Sequence, residues 1–320
     1  MKGPQVLVTG ASGFVGEALV FRLLLDKKFT PVAAVRGVTR LLGLCRVVPF
    51  DLTDTTASPA LNDVQVVIHA AARVHVMNET SMDSLSDFRK INVDGTVRLA
   101  RKAAESGVKR FIFISSIKVN GESTAPRSSF KADDPPAPVD PYGVSKQEAE
   151  DALKQIGLST GMEVVIIRPP LVYGPGVKAN FLSMMSWLHR NIPLPLGTIN
   201  NQRSLVALDN LVDLIVTCID HPAAANNIFL VSDGEDLSTT LLLRRMARAL
   251  GTKAWLLPIP DFVLSLSASL LGKKAVVQRL CSSLQVDISK TCDVLNWRPS
   301  VSVDKALRKT ADYYLDKLTK

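Results

Sequence analysis

Residues 5–16 read QVLVTGASGFVG, and this stretch decides the fold. Gln5–Val8 is a short apolar run. Three glycines follow at GxxGxxG spacing: Gly10, Gly13 and Gly16. From Gly13 to Leu25 the pattern turns helical, with Phe14, Val15, Leu19 and Leu23 on one side. A strand that turns through glycines into a helix is suited to one task. The first glycine permits the tight turn, the second lets the backbone approach a pyrophosphate, and the third lets helix and strand pack closely. The helix start adds unpaired N–H groups and the positive end of its dipole. The stretch predicts a dinucleotide site built from Gly10, Ser12, Gly13, Phe14, Val15 and Gly16.

The rest of the first half repeats the rhythm. Pro31–Val35, Val47–Phe50, Val64–His69, Arg110–Ser115 and Glu163–Arg168 read as strands. Asp83–Ser106 reads as a long helix stopped by Gly107, and Pro141–Gly157 as a helix with proline in its first turn. These strands are apolar on both faces, as parallel strands covered by helices are. The predicted class is therefore α/β: a Rossmann-type doubly wound parallel sheet over residues 1–170, with a smaller C-terminal substrate lobe over 171–320. Prolines 169, 170, 175, 193 and 195 mark the change. Leu205–Val206 and Ile228–Val231 are expected to return to the main sheet, and Val303–Leu318 to form a final helix at its edge.

The end of the second strand speaks to the cofactor. An NAD site usually carries an acid there, on the ribose 2′-hydroxyl. Here the chain reads VAAVRG, with Arg36 and then Arg40. An arginine in that place pairs with a 2′-phosphate. NADP(H) is the favoured expectation, with NAD(H) possible. Asp51 and Leu52, after the third strand, are placed to meet the adenine.

Composition narrows the class. The chain has 320 residues, 47% apolar and 21% charged, which suits a globular enzyme with a substantial core. The net charge of +8 is spread out, and aromatics are only 6%, so a nucleic-acid partner is not expected. The most apolar stretch, FVLSLSASLL at 262–271, falls short of the roughly 18–20 residues of a membrane span. It reads as a buried or lid helix. No leader is visible, and the cysteines Cys45, Cys218, Cys281 and Cys292 lack metal or framework spacing. A cytoplasmic protein with reduced thiols and no metal site is expected. His69 and His75 read as packing residues.

Tyr142 and Lys146 stand four apart on the helix beginning at Pro141, so they share a face. A neighbouring ammonium lowers a phenol from its ordinary value near 10. Such a tyrosine exchanges protons with a hydroxyl or ketone. Together with TGASGFVG, HAAAR at 69–73, Ser115-Ser116, PYGVSK and RPPLVYGPG at 168–176, the chain resembles the extended short-chain dehydrogenase/reductase superfamily along nearly its whole length.

That resemblance implies roles. Tyr142 is the acid/base, Lys146 orients the ribose and lowers the tyrosine pKa, and Ser116 holds the reacting oxygen. Ala70, Ala71, Ala72, Asn92 and Pro169 fall among the cofactor-lining positions. Asn180, Arg203 and Arg279 resemble contacts to the substrate's phosphates. A UDP-linked sugar and a homodimer are implied.

The segment FISSIKVNG at 113–121 narrows the reaction. The dehydratases resembled here carry Asp-Glu after the catalytic hydroxyl residue, where this chain has Ile117 and Lys118. Isoleucine transfers no proton and lysine offers a cation. The 4-epimerases hold NAD and usually have tyrosine at the place of Asn120. Lys118 and Asn120 are expected to line the sugar pocket. The segment is similar to that of bacterial 4-reductases acting on UDP-4-keto-6-deoxy-N-acetylhexosamines for O-antigen or capsule synthesis. The expected activity is NAD(P)H-dependent 4-ketoreduction. The alternatives are a UDP-hexose 4-epimerase and a non-catalytic NADP-binding regulator.

Overall fold

The structure is a computed structural model that describes residues 3–54, 59–74, 84–125, 128–260, 263 and 280–319. Seven parallel strands form the main sheet: β1 Gln5–Thr9, β2 Thr30–Val35, β3 Arg46–Pro49, β4 Val64–His69, β5 Arg110–Ile114, β6 Glu163–Arg168 and β9 Ile228–Leu230. Their order is β3-β2-β1-β4-β5-β6-β9. The chain winds outward one way from β1 and the other way from β4. The crevice at that reversal, beyond the strands' carboxyl ends, is where such sheets take ligands.

Alternation of side chains explains why both faces are apolar. Val6, Val8, Ile68, Ile112, Val165 and Ile167 turn to one face. They pack on α1 (Phe14–Asp26) and α6 (Leu208–Asp220). Leu7, Val67, Phe111, Phe113, Val164 and Ile166 turn to the other face. There they meet α3 (Gly95–Glu105) and α4 (Pro141–Thr160). The long helix predicted over 83–106 is a run of three parts: α2 Ser84–Phe88, a π-helical segment Arg89–Asp94, and α3. Asp83 lies outside the described residues.

Helix α4 runs three residues past the expected end. Asp140 caps it, accepting the Gly143 N–H at 2.7 Å, and Gly161 closes it at φ +77°. Gly157 is not a stop. A Cβ there would sit 2.9 Å from the Met162 carbonyl oxygen, so this glycine lets the helix lie against the chain entering β6.

The expectation for Leu205–Val206 also needs correction. Ile228–Leu230 joins the main sheet beside β6, but β8 (Arg203–Ala207) does not. It is the centre of a second sheet, between β7 (Leu171–Tyr173) and β10 (Asp236–Leu237). This sheet, α5 (Ala179–His189), α7 (Thr239–Ala249) and α9 (Val303–Leu318) enclose a separate core around Tyr173, Phe181, Leu205 and Met246. A short helix, α8 (Ser289–Leu295), precedes α9. Apart from Val263, the apolar stretch 262–271 lies outside the described residues. No helix among the described residues is long and apolar enough to cross a membrane.

Candidate functional site

The glycine turn forms one wall of a groove of about 570 Å³ at the carboxyl edge of the sheet. Gly10, Ser12, Gly13, Arg36, Asp51, Leu52 and Ala70–Ala72 all line it. Gly10 has φ +66°, and a Cβ there would stand 2.8 Å from the Ala71 nitrogen. Only glycine lets the β1 and β4 loops meet. A Cβ on Gly16 would come 2.3 Å from the Gly10 carbonyl oxygen, so α1 packs directly on the turn. Phe14 and Val15 begin that helix.

Buried polar groups hold the opposite wall. Thr9 Oγ1 is hydrogen-bonded to His69 Nδ1 at 2.7 Å and accepts the Ala71 N–H at 3.3 Å. His69 Nε2 reaches Thr96 Oγ1 at 2.9 Å. Burial, with Lys146 nearby, pushes the His69 pKa down to about 3, so the ring is a neutral tie between two threonines. Asn92 stands behind the wall. Its Oδ1 accepts the Arg73 N–H at 2.8 Å, and its Nδ2 donates to the Arg73 carbonyl at 3.0 Å and to Ser145 Oγ at 3.1 Å. It fixes the HAAAR loop to α4. Arg73, Val74 and Ile91 also line the groove. Arg73 was legible as the end of HAAAR; the two apolar residues carry no chemical signal.

The two arginines expected at a 2′-phosphate part company. Arg36 is exposed and lines the groove. Arg40 is ion-paired to Glu17 of α1 and lies over the Phe21 ring, 5.5 Å from its centroid. It faces a different depression, along α1, so it is not part of the groove's lining. The Asp51 pKa is lowered, first because its Oδ1 accepts from Thr53, with Arg36 adding.

Beyond β5 the groove gives way to a second cavity of about 420 Å³. Ser116, Lys118, Tyr142, Asn180 and Arg203 line it together, as the sequence reading grouped them. Ser116 begins a short 3-10 turn, Ile117–Val119, and its Oγ accepts the Lys118 N–H at 3.2 Å. Its own proton is left to donate. Tyr142, in the first turn of α4, packs edge-on to Phe88 with ring centroids 5.9 Å apart. Burial raises its pKa, and the Asp140 carboxylate adds to that. This is opposite to the direction expected from a neighbouring ammonium. Desolvation sets that direction, and Lys146 Nζ donates to the Ile114 carbonyl at 2.7 Å and sits 4.2 Å over the Phe113 ring.

Lys146 is fully buried, and desolvation lowers its pKa from 10.5 to about 7, Glu150 opposing. Between those values the unfolded chain binds a proton that the folded chain does not. Stability therefore increases as pH rises from about 7 toward 10.5. Lys146→Met should flatten that rise in denaturation midpoints measured across the window; a parallel curve for the variant assigns the rise to other groups.

Asn120 departs from expectation. It is buried, and its amide is committed on both sides: Nδ2 donates to the Lys131 carbonyl at 3.0 Å, and Oδ1 accepts from Arg168 Nη1 at 3.0 Å. It does not line the cavity. Arg168 also forks onto Glu150, with Nε–Oε1 at 2.9 Å and Nη2–Oε2 at 2.5 Å. Ser115 Oγ donates to the same carboxylate at 2.5 Å. Glu150, four residues after Lys146, escaped the sequence reading although its spacing on the helix was visible. Pro169 is buried and accepts the Ile117 N–H at 3.0 Å. It supports the 3-10 turn and lines neither cavity, its neighbour Pro170 lining the second. Arg203 donates to the Ser282 carbonyl at 3.0 Å, and burial lowers its pKa. Arg279 and His75 lie outside the described residues.

Residues 6–232 match the model of the NAD dependent epimerase/dehydratase family. A Vibrio cholerae protein described as UDP-glucose 4-epimerase is 49% identical over 317 residues, spanning 97% of this chain and 95% of that protein. Among solved structures, a Bacillus cereus UDP-glucuronic acid 4-epimerase in complex with NAD superposes with a TM-score of 0.80 at 22% identity, over 99% and 100% of the two chains. A Thermotoga maritima UDP-glucose 4-epimerase with UDP-glucose gives 0.79, also at 22%, over 98% and 99%. At that identity the structural likeness speaks to the fold alone. The relatives named are 4-epimerases, where the sequence reading leaned to 4-reductases. The family match over most of the chain and the 49% identity along its length make the chain a member of the NAD-dependent epimerase/dehydratase family.

Proposed function

We propose that this protein is a 4-epimerase of UDP-hexoses. The observation that carries the reading is its 49% identity, along nearly the whole chain, to a protein described as UDP-glucose 4-epimerase. The site supports it. The groove suits a dinucleotide: the bare Gly10 lets the two loops close on each other, and Gly10, Ser12 and Gly13 border the start of α1. Gly10, Ser12, Gly13, Ala70–Ala72, Asp51 and Leu52 would hold NAD, which when bound supplies a reversible hydride acceptor.

The chain's own residues handle the proton. In this reading Ser116 donates to the sugar's C4 oxygen and fixes it. Tyr142 takes the hydroxyl proton as its phenolate when C4 is oxidised, an ionisation that burial opposes and that the positive charge of bound NAD would favour, and it gives the proton back when the ketone is reduced on the other face. Lys146 holds the floor beneath them through the Ile114 carbonyl. Asn180 and Arg203 hold the diphosphate. Buried Ile117, and Lys118 already tied to carboxylates, leave no acid/base pair at the two positions after Ser116, where 4,6-dehydration would need one.

A second reading has one observation behind it. The end of β2 carries no acid and presents an exposed Arg36 to the groove. That favours NADP(H), and with it reduction of a UDP-4-keto-6-deoxy-N-acetylhexosamine for surface polysaccharide. One experiment separates the two. The purified protein is given UDP-glucose and UDP-N-acetylglucosamine without added cofactor, and separately NADPH with the 4-keto-6-deoxy sugar. Products are followed by NMR. The epimerase reading expects the C4 epimer in the first tube. Turnover only in the second, with NADPH bound more tightly than NADH, transfers the assignment to the reductase.

A further inference from the structure

The cavity that holds Ser116 and Tyr142 also holds an ionic cluster beside them. Lys118 and Glu122 both line it. Lys118 Nζ donates to Glu122 Oε1 at 2.9 Å and to the Asp140 carboxylate. Asp140 is meanwhile the cap of α4, two residues before Tyr142. All three side chains are partly buried, with exposures of 28% for Lys118, 32% for Glu122 and 19% for Asp140. One cation is thus shared by two carboxylates, and the cluster carries a net charge of −1. The other ionic group lining the cavity, among the described residues, is Arg203 on β8.

The position of this cluster matters. Lys118 is two residues beyond Ser116 in the turn that faces the reacting oxygen. In a hexose, carbon 6 is two bonds from carbon 4. A group on carbon 6 therefore falls on the wall next to the oxygen-holding pair. A lone lysine there would draw in a carboxylate. A lysine already shared by two carboxylates does not, and Glu122 meets the newcomer with like charge. Discrimination of this kind uses a repulsive element as well as an attractive one.

We propose that Lys118, Glu122 and Asp140 form a charge filter that admits hexoses uncharged at carbon 6 and turns away hexuronates. The filter rests on the nucleotide-sugar reading above, but its test does not require turnover. Dissociation constants for UDP-glucose and UDP-glucuronate are measured by titration calorimetry on the wild type, Glu122→Gln and Lys118→Gln. Asp140 is left in place, so α4 keeps its cap.

The wild type should favour UDP-glucose. Glu122→Gln, which removes one negative charge, should narrow that preference by roughly fivefold to thirtyfold. Lys118→Gln, which deepens the negative charge, should widen it by a similar factor. Opposite shifts from two neutralisations in one cluster are a charge effect; loss of packing would move both the same way. Equal binding of both sugars by the wild type, variants that shift together or not at all, or failure of both sugars to bind would each overturn the filter. Epimerisation of UDP-glucose is read alongside. The expected binding ratios without epimerisation would leave the filter standing and remove the epimerase reading.

Discussion

Tyr142→Phe is expected to lower kcat by roughly 10²–10⁴, the usual contribution of a positioned acid or base. That corresponds to about 3–5 kcal/mol of barrier. The variant is clean because the substitution removes one oxygen and keeps the ring. Its edge-on contact with Phe88 survives, and so does the first turn of α4. Affinity for the UDP-sugar and the melting temperature should therefore change little. The measurement is kcat and Kd together on the same preparation. A fall of less than tenfold in kcat would end the assignment of the phenol as the proton carrier. A fall accompanied by lost binding would instead make Tyr142 a contact residue.

The second large effect is structural. Glu150→Ala should destabilise the fold by about 3–5 kcal/mol, the range for breaking one side of a buried ion pair. Arg168 is 1% exposed, and without Glu150 its charge has no carboxylate to meet. Ser115 Oγ loses its acceptor at the same stroke. A drop in melting temperature of about 5–7 °C follows for a chain of this size. Thermal unfolding of Glu150→Ala beside Glu150→Leu/Arg168→Met separates causes: removing both charges should recover most of the loss. A single variant that melts within a degree of the wild type would show that the pair does not hold the site. The reason for interest is location. Lys146 ties Ile114, Glu150 ties Ser115, and Arg168 ties Asn120. The segment that presents Ser116 is anchored on each side by α4 and β6, so catalytic turnover should fall with stability.

Local pattern made the sheet legible. The central strands are apolar on both faces because helices cover both, and that burial is written in consecutive residues such as Phe111–Ile114. The glycine turn was legible for the same reason: Gly10, Gly13 and Gly16 answer steric demands within one loop. What escaped notice depends on partners far along the chain. Nothing in the sequence near Arg40 says that Glu17 will take it, 23 positions away, leaving Arg36 in the groove without it. Nothing near Asn120 announces Arg168, 48 positions away, which turns a supposed pocket residue into a buried brace. Gly157 misled because a glycine late in a helix can mean an end or a close approach, and only the path into β6 decides. Leu205–Val206 misled because an apolar strand pairs as readily in a small sheet as in a large one.

The π-helical segment Arg89–Asp94 changes the phase of the helix that carries it. One residue more than a regular turn needs is taken up there, so everything on its N-terminal side is rotated by about 100° from a straight continuation of α3. Asn92 sits inside the segment and holds Arg73, while Phe88, just before it, leans on Tyr142. The bulge thus works as an indexing notch: it lets a single helix serve the glycine-turn groove at one height and brace Tyr142 at another. Cutting one residue out would straighten the helix and carry Phe88 around the axis, away from Tyr142.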